Sequence, residues 1–323
     1  MMRNILIFLG VFMGLEGASA AGSGPYVVVL GVAQDAGHPQ AGCAKACCAK
    51  AWKDPSLGHR VASLGIVDPD TGDRWIIDAT PDLPAQLRVL DELAPRASNP
   101  ASLPISHPPS KSAALSGVLL THGHIGHYTG LMHLGREAMG ARGVPVHAMA
   151  RMAEFLQRHG PWEQLVRLGN ISLSPLQDGQ EITLGARVRV KPIAVPHRDE
   201  YTETVGFIIA GPRRKVLYLP DIDKWDRWKT PIEEVIAQVD RAYLDGTFYA
   251  EGEIVGRAMS EIPHPFVVET MARLKTLPAA ERAKVHLIHF NHTNPLLQPS
   301  GPAVSAVQAA GLSIAQEGDR LEL

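Results

Sequence analysis

Apolar residues in this chain come mostly in short runs bounded by turn residues, and only a few stretches show a helical stripe. Runs at 26–32, 117–120, 144–147, 242–245 and 285–288 have strand length. Paired runs separated by turn-rich connections read as hairpins: 61–67 with 74–78 across Asp68-Pro69-Asp70-Thr71-Gly72-Asp73, 181–184 with 188–195, and 204–210 with 215–219 across Gly211-Pro212. Short strands at 312–315 and 320–323 close the chain. Helices are expected after Asp82, with Leu83, Leu87 and Leu90 on one face, and over 128–140, 150–159, 162–168, 265–277 and 301–310. Two successive strand-rich halves with interspersed helices predict an α/β architecture of two packed sheets flanked by helices. Residues 95–116, rich in Pro, Ser, Asn and Ala and without periodicity, read as a surface loop or insertion.

Composition narrows the class. The chain has 323 residues, 45% of them hydrophobic, and a formal net charge of −2, which describes an ordinary soluble protein and no nucleic-acid surface. The first twenty residues stand apart: Arg3, an apolar run over 5–15 and the small residues Ala18-Ser19-Ala20 form a signal peptide. The mature protein is therefore expected to begin near Ala21 or Gly22, as one domain over 21–323, secreted or periplasmic. No later run approaches the ~20 apolar residues of a membrane helix. The expected partner is a small-molecule substrate.

The chemistry gathers around Thr121-His122-Gly123-His124-Ile125-Gly126-His127, directly after the run 117–120. Three histidines in six residues, in a loop beyond a strand end that two glycines let turn tightly, can converge on metal. His122 and His124 can share one ion, while His127 can face a second position. Further donors stand at other strand ends: His197, Asp221 and His289. Asp221 can bridge two metals or complete one, with helix capping as the alternative. Asp78 and Asp82 flank the entry to the helix at 83, where turn and capping roles are commoner than metal contact. All three cysteines, Cys43, Cys47 and Cys48, follow the first strand. Export favours a disulfide between Cys43 and Cys47; clustering favours a structural zinc with His38 as the nearest fourth ligand. Both readings stay open.

With His122, His124, His127, His197, Asp221 and His289 in this order, the chain resembles the metallo-β-lactamase superfamily over essentially its whole mature length. The cysteine cluster, Asp78-Ala79-Thr80-Pro81-Asp82, Tyr128-Thr129-Gly130-Leu131, residues 197–207, His264-Pro265 and Asn291-His292-Thr293-Asn294-Pro295 make it similar to the pyrroloquinoline-quinone (PQQ) biosynthesis protein B branch. The resemblance implies an αββα sandwich with the metal site at one edge between the sheets. It places His122, His124 and His197 at a first metal, His127 and His289 at a second, and Asp221 between them. Gly126 departs from the pattern, because the superfamily usually has Asp there; a carboxylate is missing from the second position, and restoring it as Gly126→Asp is expected to raise metal content. His264 and His292 are extra imidazoles able to replace it in part. The signal peptide is the other departure, since a cofactor-biosynthesis protein is expected in the cytoplasm.

The implied activity is metal-dependent hydrolysis of an ester, amide or phosphoester, with Asp221 holding the nucleophile and His264 protonating the leaving group. One or two zinc ions are the expected cofactor, with iron or manganese as alternatives. Competing readings are an iron-dependent oxygenase and a non-catalytic metal-retaining binding or carrier protein. Specificity is expected to come from the loops 95–116 and 249–264.

Overall fold

The computed structural model describes residues 24–93, 115–256 and 258–323. The expected signal peptide at 1–20 and most of the 95–116 segment lie outside them. The strands are β1 (Tyr26–Gly31), β2 (Ser63–Asp68), β3 (Asp73–Ile77), β4 (Gly117–Leu119), β5 (Val144–Ala148), β6 (Ile171–Pro175), β7 (Ile182–Leu184), β8 (Val188–Ala194), β9 (Val205–Ala210), β10 (Lys215–Leu219), β11 (Arg241–Asp245), β12 (Val285–Ile288), β13 (Ser313–Ile314) and β14 (Arg320–Glu322). Among the described residues they form two seven-stranded sheets, ordered β14-β1-β2-β3-β4-β5-β6 and β13-β12-β11-β10-β9-β8-β7.

Strands buried on both faces explain the unbroken apolar runs. Along β1 the side chains alternate between two cores: Val27 and Val29 join the larger cluster with Phe207, Leu217 and Leu219 of the second sheet. Tyr26, Val28 and Leu30 face the other way, onto Leu83, Leu87 and Leu90 of the helix Leu83–Leu93. The helices Val267–Leu274 and Pro302–Ala309 bury Val267, Leu274, Val304 and Val307 in the larger cluster. The layers are helix, sheet, sheet, helix, as expected.

Three details differ from the sequence reading. Strand β6 was not expected. The last strand returns to the first sheet, where Tyr26 pairs with Glu322, and so covers an edge that β1 would otherwise expose. The helix expected over 128–140 is a short turn of helix, Ile125–Tyr128, followed by a 3₁₀ stretch, Thr129–Leu134. Gly130 explains the change: it donates to Ala79 O at 2.9 Å, so close that a side chain there would fall 2.9 Å from the same oxygen.

Strand direction positions the chemistry. β1 and β3 both run antiparallel to β2, and β4 runs parallel to β3, so their C-terminal ends share one edge. In the second sheet β8, β10, β11 and β12 share a direction in the same way. The loops leaving these seven ends meet at one rim of the sandwich.

Candidate metal centre

Most of the loops at that rim contribute a donor. His122, His124 and His127 follow β4, His197 follows β8, Asp221 follows β10 and His289 follows β12. The sequence reading named these six, and the structure brings all six together. His122, His124 and His197 have ligand atoms within 4.8 Å of one another. His127 and His289 form a second group whose carboxylate is Asp35, from the loop after β1. Asp221 lies between the groups, with Oδ1 3.7 Å from His197 Nε2 and Oδ2 3.2 Å and 3.3 Å from the Nε2 atoms of His127 and His289.

Asp35 is the residue that sequence reasoning missed. Its Oδ1 lies 3.0 Å from His127 Nε2 and 3.7 Å from His289 Nε2, in the place the Gly126 gap left open. A Cβ built on Gly126 would fall on the Asp35 backbone and 2.7 Å from its Cβ. The glycine therefore makes room for a carboxylate arriving from another strand, and the expectation that the second position lacks one is corrected. Position at a strand end, the property shared by every other donor, was the available signal.

The rings are held from behind. Asp78, buried and in the left-handed region at φ 67°, places Oδ2 2.7 Å from His127 Nδ1, and its Oδ1 accepts the Thr121 N–H at 2.8 Å. It is thus an orienting residue rather than the cap or turn expected. Thr121 Oγ1 lies 2.9 Å from His122 Nδ1. His289, at φ 69°, shares a 2.9 Å hydrogen bond from Nδ1 with Thr247 Oγ1, which itself donates to Asp245 at 2.7 Å. A left-handed non-glycine residue costs about 1–3 kcal/mol and persists only where surrounding bonds enforce it. Partners of this kind set which ring nitrogen is free to ligate. Asp82, expected to cap the helix at 83, instead accepts the Val61 N–H at 2.8 Å.

The donors fit a metal ion. Asp35 Oδ1, His127 Nε2, both ring nitrogens of His197, Asp221 Oδ2 and His289 Nε2 are buried without a hydrogen bond, a costly arrangement unless a cation takes them. Burial keeps His122 well below the usual imidazole range and lowers His197 to about 3, so both are neutral, the form that ligates. Burial alone would raise Asp35 and Asp221; the imidazoles of His127 and His289 outweigh it and hold both carboxyls well below their ordinary value. Burial would likewise discharge His127, but Asp78 and Asp221 keep its pKa well above normal. The carboxylates demand positive charge, here met by a proton that a metal would replace.

His264 stands beside this group. Its Nδ1 is 2.7 Å from Asp245 Oδ2 and 3.9 Å from Asp221 Oδ1. Burial disfavours its charge, but Asp245 reverses the balance and raises its pKa. It neighbours His197 and Asp221 rather than filling the gap between His127 and His289. A cavity of about 340 Å³ opens beside His264, lined by Gln34, Lys45, Arg198, Glu261 and Asn291 among others. Ile254 and Ile262 from the 249–264 loop also line it.

The cysteines form a separate group. Their Sγ atoms stand 3.8 Å (Cys43–Cys47) and 4.0 Å (Cys47–Cys48) apart, and the thiols are free. A disulfide needs ~2.05 Å, whereas sulfurs around a tetrahedral zinc at ~2.3 Å lie about 3.8 Å apart. The imidazole that joins them is His292, correcting the assignment of His38 as fourth ligand and of His292 to the second histidine position. His38 is occupied otherwise, donating from Nε2 to Cys47 O at 3.0 Å. The loop after β12 carries His292 to the cluster, a contact that nearness in sequence does not reveal.

An αββα sandwich with histidines and carboxylates converging at the strand ends of both sheets defines a class of metal-centred proteins. Residues 73–290 match the description "Beta-lactamase superfamily domain". Coenzyme PQQ synthesis protein B of Methylobacterium nodulans is 30% identical over 319 residues, covering 92% of this chain and 99% of that protein. Zn²⁺-bound PqqB from Methylobacterium extorquens superposes with a TM-score of 0.74 at 20% identity, covering 92% of this chain and all of its own. A diphosphatase from the PhnP family gives 0.63 at 19% identity, covering 93% and 97%. The chain belongs to the metallo-β-lactamase superfamily and, within it, to the branch of coenzyme PQQ synthesis protein B. No helix among the described residues is long and apolar enough to cross a membrane.

Proposed function

We propose that this protein is a metal-dependent hydrolase of a small ester, amide or phosphoester, holding metal at His122, His124 and His197, and at His127, His289 and Asp35, with Asp221 shared. The observation that carries this reading is Asp221, whose two oxygens face the two histidine groups. A bound zinc supplies Lewis acidity and lowers the pKa of water to ~7. The chain's own residues complete the chemistry. Asp221 accepts a hydrogen bond from an attacking water and orients it. His264, whose Nδ1 lies 2.7 Å from Asp245 and whose pKa that carboxylate raises, delivers the proton of its other ring nitrogen, Nε2, to the leaving group at the cavity wall. Lys45 and Arg198 place positive charge on that wall and favour an anionic substrate. The similarity to a diphosphatase supports phosphoester chemistry. The N-terminal sequence supports export.

A second reading is favoured by one observation. Asp35, His127 and His289 form a set of two histidines and one carboxylate, which suits Fe(II) and oxygen chemistry. The test is a panel of esters, amides and phosphodiesters offered to the zinc-loaded protein, with oxygen uptake measured in parallel on the iron-loaded protein. Hydrolysis of one class, abolished by Asp221→Asn, is expected. Substrate-dependent oxygen uptake without hydrolysis would establish the second reading in its place.

A further inference from the structure

Two chain segments run from the histidine centre to the cysteine cluster. One leaves β1 and carries Asp35 and then Cys43, Cys47 and Cys48; the other leaves β12 and carries His289 and, three residues later, His292. They are tied together between the two groups. Gln34 N–H donates to Phe290 O and Phe290 N–H to Val32 O, both at 2.8 Å, and Ala33 pairs with Phe290 as a parallel bridge. Asn291 N–H in turn donates to Thr247 O at 2.9 Å, beside the hydroxyl that holds His289. Asp35 and His289 therefore ride on one joined unit whose far end is the cysteine group. The first-position donors do not: His122 and His124 follow β4 and His197 follows β8.

Between Asp35 and the cysteines the protein itself supplies the antiparallel His38–His59 backbone pair, at 2.7 and 3.0 Å, and single hydrogen bonds from Trp52 Nε1 to Cys43 O at 2.7 Å and from His38 Nε2 to Cys47 O at 3.0 Å. From the end of β1 to the helix Ala46–Lys53 the first segment has no strand or helix, and thiol contacts at 3.8–4.0 Å are weak bonds. Each residue freed from one backbone well regains conformational entropy. An ion across four donors, three thiolates on the first segment and His292 on the second, removes that freedom.

We propose that zinc bound by Cys43, Cys47, Cys48 and His292 acts as a positioning device: it fixes Asp35 relative to His289 and so sets the affinity of the second metal position, leaving the first unaffected. This rests on the reading of the histidine centre as two positions. If the joined unit is competent about one time in ten without the cysteine-bound ion, the second position weakens about tenfold. By linkage, filling the second position tightens the cysteine site by the same factor.

The test is cobalt titration of the full protein and of Cys47→Ser. Thiolate-bound Co²⁺ is read by its sulfur-to-cobalt charge-transfer absorption, and the histidine positions by calorimetry and elemental stoichiometry. The expected result is about tenfold weaker cobalt binding at the second position in Cys47→Ser, with the first position at its original affinity. An unchanged second position refutes the proposal. Should Cys47→Ser lose both positions, as an unfolded protein would, the reciprocal experiment decides. Thiolate-bound cobalt is competed with a chelator in the unaltered protein and in Asp35→Asn, and must come away about tenfold more readily from the variant; equal resistance refutes the proposal. A thiolate band with no cobalt at the histidines of unaltered protein overturns the two-position reading along with it, whereas absence of that band overturns the coupling alone.

Discussion

Gly126→Ala tests the geometry of the second metal position with a single methyl group. The backbone at 126 lies in the helix Ile125–Tyr128 and is not left-handed, so alanine suits it locally and gains up to about 1 kcal/mol of helix propensity. The tertiary cost opposes that gain. The added carbon would fall on the Asp35 backbone and 2.7 Å from its Cβ, where ordinary carbon contacts are about 3.5–4.0 Å. The Asp35 loop must retreat by about 1 Å, several times the ±0.2 Å tolerance of a metal–ligand bond. A disturbed supporting partner costs ~10–100-fold in metal affinity, and Asp35 is placed to ligate directly. The expected loss is therefore about 100-fold, or ~2.7 kcal/mol, confined to the second position. Calorimetric zinc titration of Gly126→Ala, with Asp35→Asn alongside, measures it. Asp35→Asn removes the charge without steric change and should give a similar loss with unaltered circular dichroism. Two zinc ions bound to Gly126→Ala at the original affinities would refute the argument.

Other consequences can be checked separately. His122→Ala should abolish the first metal by elemental analysis while the circular dichroism spectrum stays unchanged, since the ring sits in a loop beyond β4; full metal content would remove His122 from the site. Asp245→Asn takes away the charge that raises the His264 pKa, so in an active metal-loaded enzyme the alkaline limb of the rate profile should move to lower pH, and a fixed limb would exclude His264 as the proton donor. Arg187 joins the β7–β8 turn to buried Asp68 at the end of β2 through two hydrogen bonds. Breaking a buried pair costs ~3–5 kcal/mol, and partial exposure of Arg187 reduces the expected loss for Arg187→Met to about 2 kcal/mol in urea unfolding at pH 7. Burial would raise the Asp68 pKa, but Arg187 holds it below its ordinary value, so this stability is present above about pH 4 and is lost as pH falls. Acid dependence as steep in Arg187→Met as in the original would assign it to other carboxylates.

The six donors legible in the chain share one local property, a place just beyond an apolar run. Periodicity locates strand ends, and in αββα packing those ends gather at one rim, so His122, His124, His127, His197, Asp221 and His289 could be named before any contact was known. The sandwich itself was legible for the same reason, because doubly buried strands write themselves as continuous apolar segments. Asp35 was not, although it too follows a strand. Its role depends on the empty space at Gly126, and a glycine shows that room exists without showing what enters it. Asp78 and Asp245 read as ordinary strand-end acids until His127 and His264 are seen against them. The exchange of His38 for His292 at the cysteines has the same origin. Sequence nearness favours His38, but backbone bonds between the loops after β1 and β12 decide which imidazole arrives. Local pattern determines where a chain can place a ligand; which ligands share an ion is a long-range distance, set only when the two sheets pack.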